Sequence, residues 1–277
     1  MGALFGLLAS TAIGVSDLSG RRVVKHCHVL TAMVVVQASA LAFSLAVAPL
    51  FGVTFAGGDL LRGLVSGLGL GTGLACYYTS LGRAGAAVAA PVVATLAAVI
   101  PFAYTTLRGH DPPLLAVVGA AVAFGGLGLV TAGGARDARG AQVRAGTAWA
   151  LVSGLGYGVG LSVLVDLSDS SGLWPAAGQR LSALVLMLAM AAMRGLPPLP
   201  PRKVMGFAAL TGLASASVTL FYIIGVWFDP PATVVGASMF PVMSVIVGRL
   251  AYQDPINARQ GAGIAAAVAG VSAVVAS

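Results

Sequence analysis

A single arginine, Arg180, interrupts an apolar stretch otherwise long enough to cross a membrane, and Gln179 stands beside it. A guanidinium in such a place is costly unless something meets it. Two uses fit. The planar fork can hold a carboxylate or phosphate bidentately, or the stem can carry the charge out to the headgroups past Trp174, a residue type that collects at the membrane interface. Gln37, in another apolar run, cannot reach far and is expected to hydrogen-bond across helices or to a ligand. Asp17 is the acid nearest a helix body, with Ser16 beside it and Arg21 four residues on. It reads either as a proton or cation site or as an interfacial acid paired with Arg21 on the same helix face. Tyr77, Tyr78, Tyr157 and Tyr222 offer amphipathic rings that can clamp the apolar part of a small molecule or sit as interface anchors. Ser10, Thr11, Ser153, Ser215 and Ser217 can face the same space or bond the carbonyl a turn back.

Other chemistry is missing. His26, His28 and His110 lie at loop edges without metal-ligand spacing, and Cys27 and Cys76 form neither a metal motif nor a disulfide framework. No zincin, phosphate-loop, dinucleotide or nucleophile-elbow pattern occurs. The expectation is a chain with no metal, no cofactor and no enzymatic activity.

The elements that must position these residues follow from composition. Hydrophobic residues make up 58% of the 277, charged residues 8%, and mean hydropathy is +0.97. Soluble domains carry about 25% charged residues to wet their surface. Glutamate is absent and the acids are eight aspartates, so most of the outside is expected to face lipid. The net charge of +7 is scattered singly or in pairs between apolar runs, without the basic stripe of a nucleic-acid binder. The apolar start has no basic residues before it, so residues 2–19 read as a retained helix rather than a cleaved leader.

A bilayer-crossing helix needs about 20 apolar residues. Splitting the chain at charges, prolines and glycine turns gives ten candidates: 2–19, 29–50, 60–81, 84–107, 113–133, 145–166, 174–194, 204–226, 230–250 and 257–276. The turns between them include Gly57-Gly58-Asp59, Leu81-Gly82-Arg83, His110-Asp111-Pro112-Pro113 and Asp229-Pro230-Pro231. Sliding the chain on itself by 144 residues brings Ile13-Gly14 onto Tyr157-Gly158 and Tyr78 onto Tyr222. The expected fold is therefore an all-α membrane protein of ten transmembrane helices in two inverted five-helix repeats, 1–134 and 145–277, joined by a linker loop at 135–144. Inverted repeats build a site near the bilayer midplane. Thirty-eight glycines, as in the run from Gly67 to Gly73, suit helices that associate through close backbone approach.

The order of elements resembles the EamA-type drug/metabolite transporters. Tyr157-Gly158 resembles the aromatic-glycine pair that opens each half of that family, while Ile13-Gly14 keeps only the glycine. Gln179-Arg180-Leu181-Ser182-Ala183-Leu184 resembles the arginine near an Ala-Leu run, where the first half has Gln37-Ala38-Ser39-Ala40-Leu41. Tyr77-Tyr78 and Phe221-Tyr222 take the place of the aromatic end of the third helix, and His110-Asp111 and Gln253-Asp254 that of the acidic turn after the fourth. The resemblance spans the chain through short motifs and implies a secondary transporter, an exporter or exchanger of small organic metabolites such as amino acids, working by alternating access. The implied substrate-binding set is Gln37, Tyr77, Tyr78, Tyr157, Gln179, Arg180 and Tyr222, with Asp17 the candidate for a coupling proton or cation. The alternative of the same superfamily is a flippase for lipid-linked headgroups. The expected partners are a small-molecule substrate and the lipid bilayer, with no nucleic acid, and a monomer suffices. The expected location is a cell membrane, that of a bacterial inner membrane. The family usually keeps both termini in the cytoplasm. Here, apart from Arg62, Arg108 and Arg180, every Lys and Arg falls in the loops after helices 1, 3, 5, 7 and 9, which places both termini outside.

Overall fold

Helix ends in this chain are set by residues that cannot continue a helix or that satisfy its last polar groups. The computed structural model describes residues 1–51, 56–84, 86–132, 140–240 and 258–275, with isolated positions between 242 and 250; within these, the side chains at 21, 78, 81, 82, 84, 86–91, 127, 130–132, 140–144, 260 and 275 are not described. The helices, numbered in chain order, are α1 (Gly2–Val24), α2 (Val29–Val47), α3 (Gly57–Ala84), α4 (Ala86–Leu107), α5 (Leu114–Ala132), α6 (Gly140–Val163), α7 (Trp174–Met193), α8 (Arg202–Phe228), α9 (Pro230–Ala237) and α10 (Ala258–Val275). Short 3-10 turns follow α2 (Ala48–Leu50) and precede α7 (Asp169–Ser171). No strand occurs among the described residues.

Local chemistry explains the boundaries. Asp229 caps α9 by accepting from the Ala232 amide at 3.0 Å, and Pro230 follows at a position where no amide hydrogen is needed. Gly195, at φ +62°, ends α7: the Leu196 amide donates back to the Ala191 carbonyl at 2.9 Å, a closure that only a left-handed residue permits cheaply. The structure also corrects the sequence reading in places. Gly57-Gly58-Asp59 is the first turn of α3 rather than a loop, and Leu81-Gly82-Arg83 lies in its last turn. An acid in the first turn and a base in the last favour helix at both ends. Residues 140–144, expected in the linker, begin α6; residues 135–139 and the turn at 253–255 lie outside the described residues. The expected helix 230–250 is described as helix from Pro230 to Ala237 and at isolated positions beyond.

Among the described residues five helical spans are long and apolar enough to cross a membrane: Gly2–Val24, Val29–Leu50, Gly57–Tyr77, Trp174–Met193 and Arg202–Phe228. Shorter apolar helical stretches run over Val92–Leu107, Leu114–Gly126 and Gly261–Val274. The 23 residues of α1 extend roughly 35 Å, against about 30 Å of hydrocarbon. Outward faces are apolar as well, as at Leu151, Leu155 and Val159 on α6 and Leu181, Val185 and Leu188 on α7. Contiguous apolar surface of this kind is rare on soluble monomers.

Packing follows small residues. The principal neighbours are α1 with α8 and α9, α2 with α7 and α8, α3 with α6 and α7, α4 with α6, and α5 with α10. Helix α3 has two glycine faces. A Cβ on Gly63 or Gly67 would strike the carbonyl of Pro175 or Gln179 on α7, and one on Gly69 would sit 2.6 Å from the Gly156 carbonyl of α6. Serine hydroxyls add bonds across the same seam, Ser66 Oγ donating to Gly160 O at 2.7 Å and Ser153 Oγ to Gly73 O at 2.6 Å. The apolar cores lie where α5, α9 and α10 meet, between α2, α7 and α8, and around Leu164, Leu173 and Tyr222.

Candidate functional site

The first turns of α7 are held against α3 by the glycine contacts, so the side chain of Arg180 must run inward between α2 and α8. It is 2% exposed. Of the two readings of this arginine, the headgroup-seeking one is set aside by that burial. The Nη1 group donates to Gln37 Oε1 of α2 at 3.3 Å and to Ser215 Oγ of α8 at 3.0 Å. Nη2 donates to the Ser215 carbonyl and to Thr219 Oγ1, both on α8. The network continues outward. Thr219 donates to Gln179 Oε1 at 2.6 Å, Gln179 Nε2 to Ser66 Oγ at 2.8 Å, and Ser66 to the α6 backbone.

Every acceptor around this guanidinium is neutral. No carboxylate pairs with Arg180 among the described residues, and its Nε–H has no acceptor there. Burying a lone ion costs several kcal/mol even after relaxation, and hydrogen bonds involving a charged group return about 1.5–3 kcal/mol each. Four such bonds hold the cation in place without cancelling its charge.

The other expected site residues are distributed unevenly about this centre. Gln37 bonds across helices, as its short reach requires. Tyr157 is half-buried, lies with its ring over Gly73 of α3, and is within electrostatic reach of Arg180. Tyr77 is half-buried within electrostatic reach of Asp17, which is exposed on α1. The Tyr78 side chain lies outside the described residues. Tyr222 is 1% exposed, packs with Leu164, Leu173 and Ile223, and donates its hydroxyl to Leu161 O at 3.3 Å. Ser10, Thr11 and Ser217 bond carbonyls of their own helices. His28 caps α2 and the His26 ring meets the Arg22 carbonyl; among the described residues no group of His, Cys or acids can hold a metal.

A second polar cluster, at one end of the bundle, was not anticipated. Asp59, 4% exposed in the first turn of α3, accepts from Arg62, from the Ser168 amide at 3.1 Å and from Ser171 Oγ at 2.6 Å. Asp166, just beyond α6, accepts from Tyr104 Oη and, at 3.0 Å, from Arg108 Nε, while Arg62 also donates to its carbonyl at 3.0 Å. The Asp166 carboxylate holds the Arg108 guanidinium above its ordinary pKa range, through the hydrogen bond first and the charge second. These bonds tie α3 and α4 to the connection between α6 and α7. A signal for them existed in the sequence. Arg62 and Arg108 are the two loop-edge cations that break the charge asymmetry of the loops, and each is paired with an aspartate.

No family model matches the chain and no curated protein matches it. Solved structures do: 27 chains match. One, described only as "Crystal structure of protein", aligns with a TM-score of 0.78 at 17% identity over 99% of this chain and 96% of its own. The likeness is one of fold. The EamA resemblance is neither strengthened nor weakened by it.

Proposed function

We propose that this chain is a secondary carrier of small organic metabolites, amino-acid-like in size, that crosses a cell membrane as ten helices in two inverted halves, residues 1–134 and 145–277. One observation carries the reading. A buried cation with no acid partner among the described residues sits where α2, α3, α7 and α8 converge. Uncompensated charge in a membrane interior marks a ligand or ion path by default.

The packing supports the two-half reading. Exchanging α1–α5 with α6–α10 carries each principal helix pair onto another: α3 with α6 onto α8 with α1, α4 with α6 onto α9 with α1, and α3 with α7 onto α8 with α2. The α2–α7 and α5–α10 pairs map onto themselves. The four helices around Arg180 are thus two exchangeable pairs, the place where inverted repeats put a substrate. Alternating access also needs an end that can be held shut and released. The Asp59 and Asp166 cluster, binding α3 and α4 of one half to the α6–α7 connection of the other, suits that role.

The test is counterflow in proteoliposomes loaded with a panel of unlabelled amino acids and small organic acids. Saturable uptake of labelled solute against its gradient is expected. Translocation of labelled lipid without any solute exchange would replace the carrier with a headgroup flippase; neither activity would remove the proposal.

A further inference from the structure

We infer that the group recognised at Arg180 is a singly charged oxyanion, the carboxylate of a solute or the phosphodiester of a lipid headgroup, and not an amine or a neutral group. This rests on the carrier reading for its setting but is carried by the charge balance of the site. Among the described residues the buried charged side chains are Asp59 and Arg180. Asp59 is paired with Arg62; among the described residues Arg180 donates to Gln37, Ser215 and Thr219, all neutral. Among the described residues the interior therefore carries one unit of positive charge without a balancing acid. An incoming cation would be repelled, and a neutral solute would leave the imbalance untouched. A dianion would reverse its sign. A monoanion cancels it.

The hydrogen-bond pattern says how. The fifth donor of the fork, Nε–H, has no acceptor among the described residues. Of the four occupied donor positions the longest contact, 3.3 Å, is to the Gln37 amide oxygen. An anionic oxygen arriving beside the fork takes the open donor and replaces a neutral acceptor with a charged one, a stronger bond. Where the displaced group is the Thr219 hydroxyl, it still donates to Gln179. The half-buried residues around the fork, Ser215 and Tyr157, are hydroxyl-bearing and supply no competing anion.

Gln37 gives the experiment its sharpest arm. Gln37→Glu places a carboxylate on Arg180 from within the protein, supplying the counter-charge that the ligand would bring. Thermal unfolding of the purified full-length protein in neutral detergent would be followed with small aliphatic and aromatic monocarboxylates, their primary amides, the matched amines, inorganic phosphate at a pH where it is the dianion, and phosphatidylglycerol in the micelle. Stabilisation by a carboxylate or by phosphatidylglycerol, and by none of the amides, the amines and the phosphate dianion, is expected. The carboxylate arm identifies a soluble substrate and the lipid arm a headgroup. Arg180→Gln should weaken that binding by roughly 30-fold or more, with partial recovery in Arg180→Lys. Gln37→Glu should melt higher than the native protein yet lose the response to anions. A purely structural arginine would also be stabilised by Gln37→Glu but would leave ligand binding unchanged, and that result overturns the inference. So does stabilisation by amides or amines equal to that by carboxylates, or no response to any anion. Uptake of a cationic solute in proteoliposomes would keep the carrier and discard the oxyanion.

Discussion

Replacing Asp59 by alanine tests the end cluster directly. The carboxylate accepts from the Ser168 amide and the Ser171 hydroxyl, and Ser171 is itself 1% exposed. Hydrogen bonds to a charged group contribute about 1.5–3 kcal/mol each, so the two together amount to roughly 3–6 kcal/mol. The Arg62 side chain is 44% exposed, so its ion pair adds at most about 1 kcal/mol. Alanine relieves the desolvation of a buried carboxylate and water can enter at a helix end, which brings the expected loss to about 3 kcal/mol. At 2–4 °C per kcal/mol this lowers the apparent Tm by roughly 6–12 °C. Asp59→Asn keeps one oxygen for either serine and should lose about half as much. Scanning fluorimetry in one detergent, at one heating rate, reads both variants against the native protein. A drop of less than about 2 °C for Asp59→Ala, or equal drops for Ala and Asn, would refute the assignment of Asp59 as the residue that fixes the α6–α7 connection.

Three further outcomes follow from other features. Gly69→Ala puts a Cβ 2.6 Å from the Gly156 carbonyl and should cost about 1–3 kcal/mol, while Gly206→Ala, with nothing within 4 Å, should be neutral or stabilising by up to about 1 kcal/mol; paired melting curves check both. Burial pushes the Cys27 thiol above its ordinary value, and only the thiolate reacts, so maleimide labelling in a Cys76→Ala background should be slower at neutral pH than that of a free thiol, should rise at higher pH, and should recover in denaturant; equal rates folded and unfolded would contradict it. In whole cells, a cysteine at Ser277 should react with an impermeant reagent added outside and one at Arg136 should not, as the loop charges require; the reverse pattern would invert the orientation.

The legible parts of the sequence were those fixed by local chemistry. Asp229-Pro230 announces the start of α9 and the apolar run after Trp174 announces α7, because the cap and the missing amide act within one turn. Where an acid or glycine suited both turn and helix, as at Gly57-Gly58-Asp59, the sequence read as a loop, although the decisive partners of Asp59, Ser168 and Ser171, lie more than a hundred residues away. Asp166 passed unnoticed for the same reason, since Tyr104 and Arg108 meet it only in the fold. Arg180 was recognisable as costly, but whether it reached out or in depended on acceptors from α2 and α8. The apolar neighbours of Tyr222 at Leu164 and Leu173 were not legible either, because they come from the connection between α6 and α7.

The glycine faces of α3 have a mechanical meaning. Where Gly69 meets Gly156, the two helices rest main chain on main chain. The seam is pinned on either side by serine hydroxyls, Ser66 to Gly160 and Ser153 to Gly73, so closeness and hydrogen bonding act together along it. At the junction of α2, α7 and α8 the fork of Arg180 grips two neighbours at once and resists displacement. The contacts are thus of two kinds, a polar grip at the hub and close main-chain approach along the α3–α6 flank.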